Sequence, residues 1–209
     1  MISRLAVFDE TAARQRRAAV LVGIDEAGRG PLAGPVVACA CIIAPELYPV
    51  LGEVNDSKKL SPKKREELFD LLKTSGAACG LGFCGPEEID RINILQATFA
   101  AMRAAVAQLC PPPGAFALVD GNNAIPGLEL PQTPVIKGDG KSLAVAAASI
   151  IAKVTRDRLL CGLDAKYPGY GFAKHKGYGT AEHIAAIEKL GPCPEHRRTF
   201  LPDKLPFYA

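Results

Sequence analysis

The chain has 209 residues, of which 48% are apolar and 22% charged, with 20 glycines and 17 prolines. That balance excludes a disordered or fibrous protein and is enough to bury the core of one medium-sized domain. A net charge of only +3 excludes a polybasic arm, so any grip on a polyanion has to come from local patches.

The first stretch, MISRLAVFDETAARQRR, mixes acids with arginines and lacks the apolar centre of a signal peptide. Residues 20–25 form a short apolar run ending in acids, which reads as a buried strand. Residues 36–43 (VVACACII) follow a Gly/Pro turn and read as a second strand hairpinned to the first. Ser61 followed by Pro62 is a helix start, and Gly76 closes that helix. Residues 77–84 are a third strand despite their glycines. Residues 94–109 repeat apolar positions at helical spacing and stop at three consecutive prolines. Residues 116–120 (FALVD) form another apolar run ending in an acid, and residues 134–137 a further strand. Ser142 caps an Ala-rich helix reaching about Tyr167. Residues 167–178 are a loop rich in glycine and lysine, and residues 180–190 a final helix stopped by Gly191-Pro192.

The order describes an α/β fold, a mixed sheet flanked by helices, as a single domain over residues 1–209. Its core covers about 18–167 and a helical C-terminal extension about 168–209. The apolar residues of the tail, 203–209, are expected to pack on this domain. The most apolar windows, 36–44 and 143–152, are too short to span a bilayer. The seven cysteines are odd in number and include no C-x-x-C pair, which speaks against a disulfide framework or zinc ribbon. Buried free thiols in a reducing cytoplasm are expected, with a soft-metal site at Cys39 and Cys41 a minor alternative.

Two nucleotide motifs almost match. Gly28-Arg29-Gly30-Pro31-Leu32-Ala33 follows a strand as a dinucleotide fingerprint should. Pro35 and the strand-like residues behind it leave no helix to meet a pyrophosphate, and the acids precede the glycines. Gly138-Asp139-Gly140-Lys141-Ser142 resembles the end of a P-loop, but Val135 stands where its first glycine belongs. A nucleotide-dependent enzyme is therefore disfavoured.

What remains is a set of acids at the ends of apolar runs: Asp25, Glu26, Asp120 and Asp139. One acid at a strand end is an ordinary turn residue. Four gathered at one sheet edge would repel by about 3 kcal/mol per pair near 5 Å at an effective dielectric of about 20, on the order of 10–20 kcal/mol in all. Hard divalent cations with oxygen ligands, Mg²⁺ or Mn²⁺, relieve such repulsion, which points to a two-metal phosphoryl site. The three histidines are badly spaced for zinc.

GIDEAGRGPLAGPVV, NDSKKLSPKKRE, EEIDRINILQATFAAM, VDGN, VIKGDGKS with AAASIIAKVTRDR, and HKGYGT, in that order, resemble ribonuclease HII, the type 2 ribonuclease H. The resemblance implies a ribonuclease H-like fold with Asp25, Glu26, Asp120 and Asp139 as the metal-holding acids. It implies hydrolysis of the RNA strand of RNA–DNA hybrids, and nicking 5′ of ribonucleotides embedded in duplex DNA with 3′-hydroxyl and 5′-phosphate ends. Hybrids and DNA–RNA junction duplexes are then the expected partners of a monomer, and a hybrid-binding module that has lost catalysis is the alternative.

Sensing one 2′-hydroxyl separates RNA from DNA. The resemblance assigns that contact to the turn Gly28, Arg29 and Gly30 and to Tyr178. It places Asn55, Asp56, Ser57 and Lys58 along the duplex. Lys58, Lys59, Lys63, Lys64 and Arg65 bracket a helix N-terminus, where cations are unfavourable unless a phosphate offsets them. Lys174, His175 and Lys176 form a second basic patch, with His175 read as a phosphate neighbour. Asp157 pairs with Lys153 one helical turn away and, by the resemblance, supports the metal site from behind. Asp56 and Asp164 read as structural.

Overall fold

The computed structural model describes residues 2–202, so the tail at 203–209 lies outside the described residues. Ser3 accepts from the Ala6 N–H at 3.2 Å and opens helix α1 (Arg4–Arg16), which Arg17 ends in a left-handed conformation. The sequence reading gives no element here, because its apolar pattern is weak. Strand β1 (Val20–Ala27) is buried over most of its length. It pairs antiparallel with β2 (Val36–Ile42), Asp25 standing opposite Cys39, so the expected hairpin is present.

Helix α2 (Pro62–Thr74) opens on Ser61, whose hydroxyl accepts from the Lys64 N–H at 3.2 Å. Strand β3 (Ala78–Cys84) lies antiparallel to β2. A short helix α3 (Pro86–Ile92) follows that the sequence reading did not anticipate. Asn93, at φ 67°, separates it from α4 (Ile94–Leu109), which the Asn93 side chain caps by accepting from the Leu95 and Gln96 N–H groups.

Strand β4 (Ala115–Asp120) runs parallel to β1, and β5 (Gln132–Val135) parallel to β4. The last strand thus sits two residues earlier than expected. Lys137 turns the chain away at φ 57°, and Pro134, which cannot donate, is tolerated because β5 is an edge strand. Ser142 caps α5 (Leu143–Lys166). The loop expected over 167–178 contains one helical turn, α6 (Phe172–His175), before α7 (Ala181–Leu190), capped by Thr180.

Among the described residues the strands form one five-stranded mixed sheet, ordered β3-β2-β1-β4-β5. Helices α1, α2 and α5 bury one face and α3 and α4 the other. The glycines that weaken a strand reading of β3 have a packing reason: a Cβ on Gly82 would run into the Ala101 backbone of α4. Cys39 and Cys41 lie in the core as free thiols, Cys41 Sγ 3.1 Å from Cys79 Sγ. No helix among the described residues is long and apolar enough to cross a membrane.

Candidate functional site

The sheet brings the acids together. Because β1 and β4 are parallel with Ile24 opposite Val119, Asp25 and Asp120 leave neighbouring strand ends side by side. Asp139 sits in the 3₁₀ turn Gly138–Gly140 before α5. That turn is tied to the strand end by the Gly138 N–H, which donates to Asp120 Oδ1 at 2.7 Å. Asp25 and Asp139 are nearly buried, at 4% and 5% exposure.

The electrostatics show how closely these groups feel one another. Burial, then the charges of Glu26 and Asp120, push Asp25 well above the usual carboxylate range, against hydrogen bonds from Ser149 and the Glu26 N–H. Glu26 is raised by burial and by Asp120, with Arg29 opposing; Arg29 Nη1 lies 3.4 Å from Glu26 Oε1. Asp139 is raised by burial and then by Asp120 and Asp56. Asp120 therefore presses on each of the other three. Burial pushes the Lys58 ammonium down, but Asp139, Asp25, Asp56 and Asp120 together outweigh it and leave it raised. Its Nζ lies 3.8 Å from Asp139 Oδ2.

Every donor in this group is a carboxylate oxygen, which suits a hard divalent cation and not a soft one. Among the described residues no three His, Cys, Asp or Glu side chains are already drawn together as a metal cage. Arg29 beside Glu26 and Lys58 beside Asp139 supply the counter-charge. The donor chemistry fits Mn²⁺ or Mg²⁺, with closing of the oxygens left to the ion.

Beside the acids runs a cleft of about 230 Å³, lined by Glu26, Gly28, Gly30, Lys58, Lys153 and Tyr178 among others. Gly28 takes φ +94°, and a Cβ there would strike the Arg156 side chain. Gly30 has no such constraint: the nearest atom to a Cβ would be Tyr178 Cε1, 4.0 Å away. A larger, more apolar groove of about 680 Å³, lined by Phe69, Leu159 and Leu163, contains none of the four acids.

The remaining candidates divide. Asp56 caps the 3₁₀ turn Ser57–Lys59, accepting from the Lys58 N–H at 2.9 Å, and also stands against Asp139, so it is more than a turn residue. Asn55 is exposed and accepts from the Asp56 N–H. Ser57 is buried, its Oγ 2.8 Å from Ser149 Oγ, so it anchors the turn from inside. Three of the cations around α2 are answered internally: Lys64 meets Glu53 at 2.8 Å, Lys59 meets Asp56 at 3.7 Å, and Arg65 meets Asp157 at 3.8 Å. Lys58 likewise meets an acid of the chain, Asp139 at 3.8 Å, so part of the charge offset expected from phosphate is supplied internally. Asp157 pairs with Lys153 at 2.6 Å, fixing a cation that lines the cleft. Its recorded partners include none of the four acids.

Lys174 is exposed and paired with Glu182 at 2.6 Å. His175 is corrected: it is not a surface phosphate neighbour but buried, with both ring nitrogens engaged. Its Nε2–H donates to the Tyr170 carbonyl at 2.8 Å, and its Nδ1 accepts from the Gly177 N–H at 3.2 Å. All three histidines meet here. The hydrogen-bond pattern assigns their tautomers. His183 Nδ1–H donates to the Tyr178 carbonyl at 2.9 Å, so its Nε2 accepts from His196 Nε2–H at 3.1 Å, and His196 Nδ1 accepts from the Cys193 N–H at 3.0 Å. The network is complete only with every ring neutral, and it holds the Tyr178 backbone.

Burial pushes His183 and His196 down to about 4. An unfolded histidine binds its proton near 6.5, so between those values the unfolded chain holds the extra protons. Their contribution to stability is present above about pH 6.5 and is lost as pH falls toward 4, whereas the raised carboxylates act in the opposite direction. His196→Gln removes one such group. Between pH 6.5 and 5 the stability of the wild type is expected to fall relative to that variant by about 1.6 kcal/mol. Parallel pH profiles of thermal unfolding would show that the rings are not buried neutral.

The sequence reading missed two residues at this site. Arg156 from α5 and Arg197 from the C-terminal segment are both buried beneath the glycine turn.

The sequence profile of the family described as Ribonuclease HII matches residues 22–202. A protein called Ribonuclease HII from Geotalea uraniireducens is 57% identical over 191 residues, covering 91% of this chain and 87% of its own. One from Geobacter sp. (strain M21) is 60% identical over 180 residues, covering 86% and 76%. The crystal structure of ribonuclease H2 from Pyrococcus horikoshii superposes with a TM-score of 0.69 at 32% identity, over 86% of this chain and 93% of that one.

Proposed function

The chain belongs to the ribonuclease HII family and is a ribonuclease H enzyme, and from that premise we propose which bond it cuts and with which residues. The reaction is hydrolysis of the RNA strand of RNA–DNA hybrids, and nicking 5′ of single ribonucleotides in duplex DNA, leaving 3′-hydroxyl and 5′-phosphate ends. The observation that carries this reading is the convergence of Asp25, Glu26 and Asp139 on Asp120, whose charge raises all three.

Asp25, Glu26, Asp120 and Asp139 would hold the divalent ions, Mn²⁺ or Mg²⁺. Two such ions, when bound, supply Lewis-acid charge for the scissile phosphodiester, its attacking water and its departing oxygen. The chain's own residues do the rest. The chain Ser57–Ser149–Asp25 locks the Asp25 carboxylate in place, and Lys58, kept protonated by the acids around it, meets a phosphate oxygen at the mouth of the cleft. Arg29, half exposed beside Glu26, is a second phosphate contact. Gly28, Gly30 and Tyr178 receive the ribose, while Asn55 and Lys174 border the duplex. The protein acts as a cytoplasmic monomer, and residues 2–202 work as one unit because Arg197 reaches back to the glycine turn.

The test is a duplex DNA carrying one ribonucleotide, incubated with Mn²⁺, with Mg²⁺ and with a chelator. Metal-dependent nicking on the 5′ side with a 3′-hydroxyl end is expected, and an all-DNA duplex stays intact. Binding to hybrids without cleavage under any ion would favour the inactive binding module instead.

Tyr178→Phe separates ribose recognition from folding. The ring is 46% exposed, so losing its hydroxyl is expected to shift thermal unfolding little. Cleavage at a single embedded ribonucleotide is expected to fall about 10-fold or more, as when one hydrogen bond worth at least ~1.4 kcal/mol in the transition state is removed. Unchanged junction cleavage would remove Tyr178 from the ribose contact.

A further inference from the structure

Arg156 and Arg197 are 1% and 0% exposed, and every hydrogen bond recorded for their guanidinium groups goes to a backbone carbonyl. Arg197 donates from Nε and Nη2 to the Gly34 carbonyl at 2.9 and 2.8 Å, from Nη2 to Gly28 at 2.6 Å, and from Nη1 to Arg29 at 2.9 Å. Arg156 donates from Nη2 to Ala33, from Nε to Pro35 and from Nη1 to Lys176, at 2.9 to 3.0 Å. Backbone bonds extend the hold: the Arg197 N–H donates to the Leu32 carbonyl, the Gly34 N–H to Glu195 and the Leu32 N–H to Gly177, each at 2.8 Å.

Two buried cations with no carboxylate among the described residues at ion-pair distance, only the more distant charges of Asp90 and Asp157, are a costly way to stitch a loop, since neutral donors would satisfy the same carbonyls. Burial lowers Arg197 to about 9 and Arg156 to about 10, and Arg156 adds to the effect on Arg197, yet both remain charged at neutral pH. Their placement suggests what that expense achieves. A trans peptide is planar, with its C=O and N–H pointing in opposite directions. Drawing the Gly28 and Arg29 carbonyls inward onto Arg197 therefore turns the N–H groups of Arg29 and Gly30 outward, toward the cleft that Tyr178 and Lys58 line.

We propose that Arg197, seconded by Arg156, is a positioning residue for ribose discrimination: it clamps the Gly28 and Arg29 carbonyls from below so that the Arg29 and Gly30 amides face the 2′-hydroxyl. This rests on the reading of that turn as the ribose contact. It also assigns a task to the C-terminal extension, which delivers Arg197 to a turn far away in sequence. Lysine keeps the charge but cannot reproduce the planar fork that grips three carbonyls at once.

The experiment compares wild type with Arg197→Lys on two duplexes identical except for a 2′-hydroxyl or a 2′-fluoro group at the single junction nucleotide. For each protein the ratio of kcat/KM between the two duplexes is measured, together with the rise in Tm on adding Mn²⁺. The variant is expected to lose at least 10-fold of that ratio while its Mn²⁺-induced Tm rise matches wild type. A folded variant with an unchanged ratio, even at reduced overall rate, overturns the clamp. Hydrogen exchange on wild type provides a reading independent of whether the variant folds. The Arg29 and Gly30 amides are expected to exchange freely alone and to become protected with the single-ribonucleotide duplex in Ca²⁺; exchange unchanged by the duplex overturns the proposal too. Wild type that cuts neither duplex refutes the functional reading itself, an outcome distinct from a cutting enzyme with an unaltered ratio.

Discussion

Asp120→Asn is expected to reduce cleavage by roughly 10³-fold or more, equivalent to about 4 kcal/mol of barrier, while leaving the metal-free protein at least as stable as wild type. The two halves have one cause. After burial, the charge common to the raised Asp25, Glu26 and Asp139 is Asp120, so neutralising it removes repulsion worth on the order of 1–3 kcal/mol per close pair at an effective dielectric near 20. Asparagine keeps the oxygen that accepts from the Gly138 N–H at 2.7 Å, so the turn carrying Asp139 keeps its tether. What is lost is a charged oxygen that the proposed function assigns to the ion. Denaturant unfolding with a chelator present checks the stability half. A marked loss there would make Asp120 a structural hydrogen-bonding residue.

Gly28→Ala is expected to be the most damaging small substitution in the cleft. The residue sits at φ +94°, and the new methyl would meet the Arg156 side chain, which itself holds Ala33 and Pro35. The backbone strain alone is about 1–3 kcal/mol, and moving Arg156 would disturb both arms of the turn. Activity on a single-ribonucleotide duplex is expected to fall by about 10²-fold, as for a comparable misplacement at a reacting centre, and Tm to fall by several degrees. Gly30→Ala is the informative partner. Nothing inside the protein requires glycine at position 30, so this variant is expected to keep the wild-type Tm and yet bind the junction poorly, because its methyl would project toward the ribose. If Gly30→Ala cleaves normally, the ribose does not approach that residue, and the turn serves only the fold.

Much of this site could be read along the chain because its chemistry is local. An apolar run that stops at an acid, as at Asp25 and Asp120, marks both a buried strand and the edge where it emerges, and parallel pairing of β1 with β4 then sets those acids side by side. Caps were equally readable: Ser61 and Ser142 each accept from a backbone N–H three residues on, while Thr180, read as the first residue of the last helix, is its cap. What could not be read depended on contacts distant in sequence. Arg197 looks like any arginine in PEHRRTF, and only the fold carries it to the Gly28 and Arg29 carbonyls. His175 was grouped with its lysine neighbours because charge patterns say nothing about which side chains turn inward. Its partners, the Tyr170 carbonyl and the stacked His183 ring, belong to the packing of the extension. The α2 cations misled in the same way, since Glu53 and Asp157 come from elsewhere in the chain. The edge strand shifted because Lys137 takes a left-handed turn that lysine adopts only under the demands of its surroundings.

The most direct test of gathered, repelling oxygens as a cation site needs no substrate. Unfolding of wild type is followed as Mn²⁺ is added, beside Asp120→Asn. An ion bound only by the folded protein at about 100 times its Kd adds about 2.7 kcal/mol, which for a chain of this size is a Tm rise of roughly 5–10 °C. The account predicts that rise in wild type and its near absence in Asp120→Asn. An unmoved wild-type Tm, or an equal rise in both proteins, would contradict it.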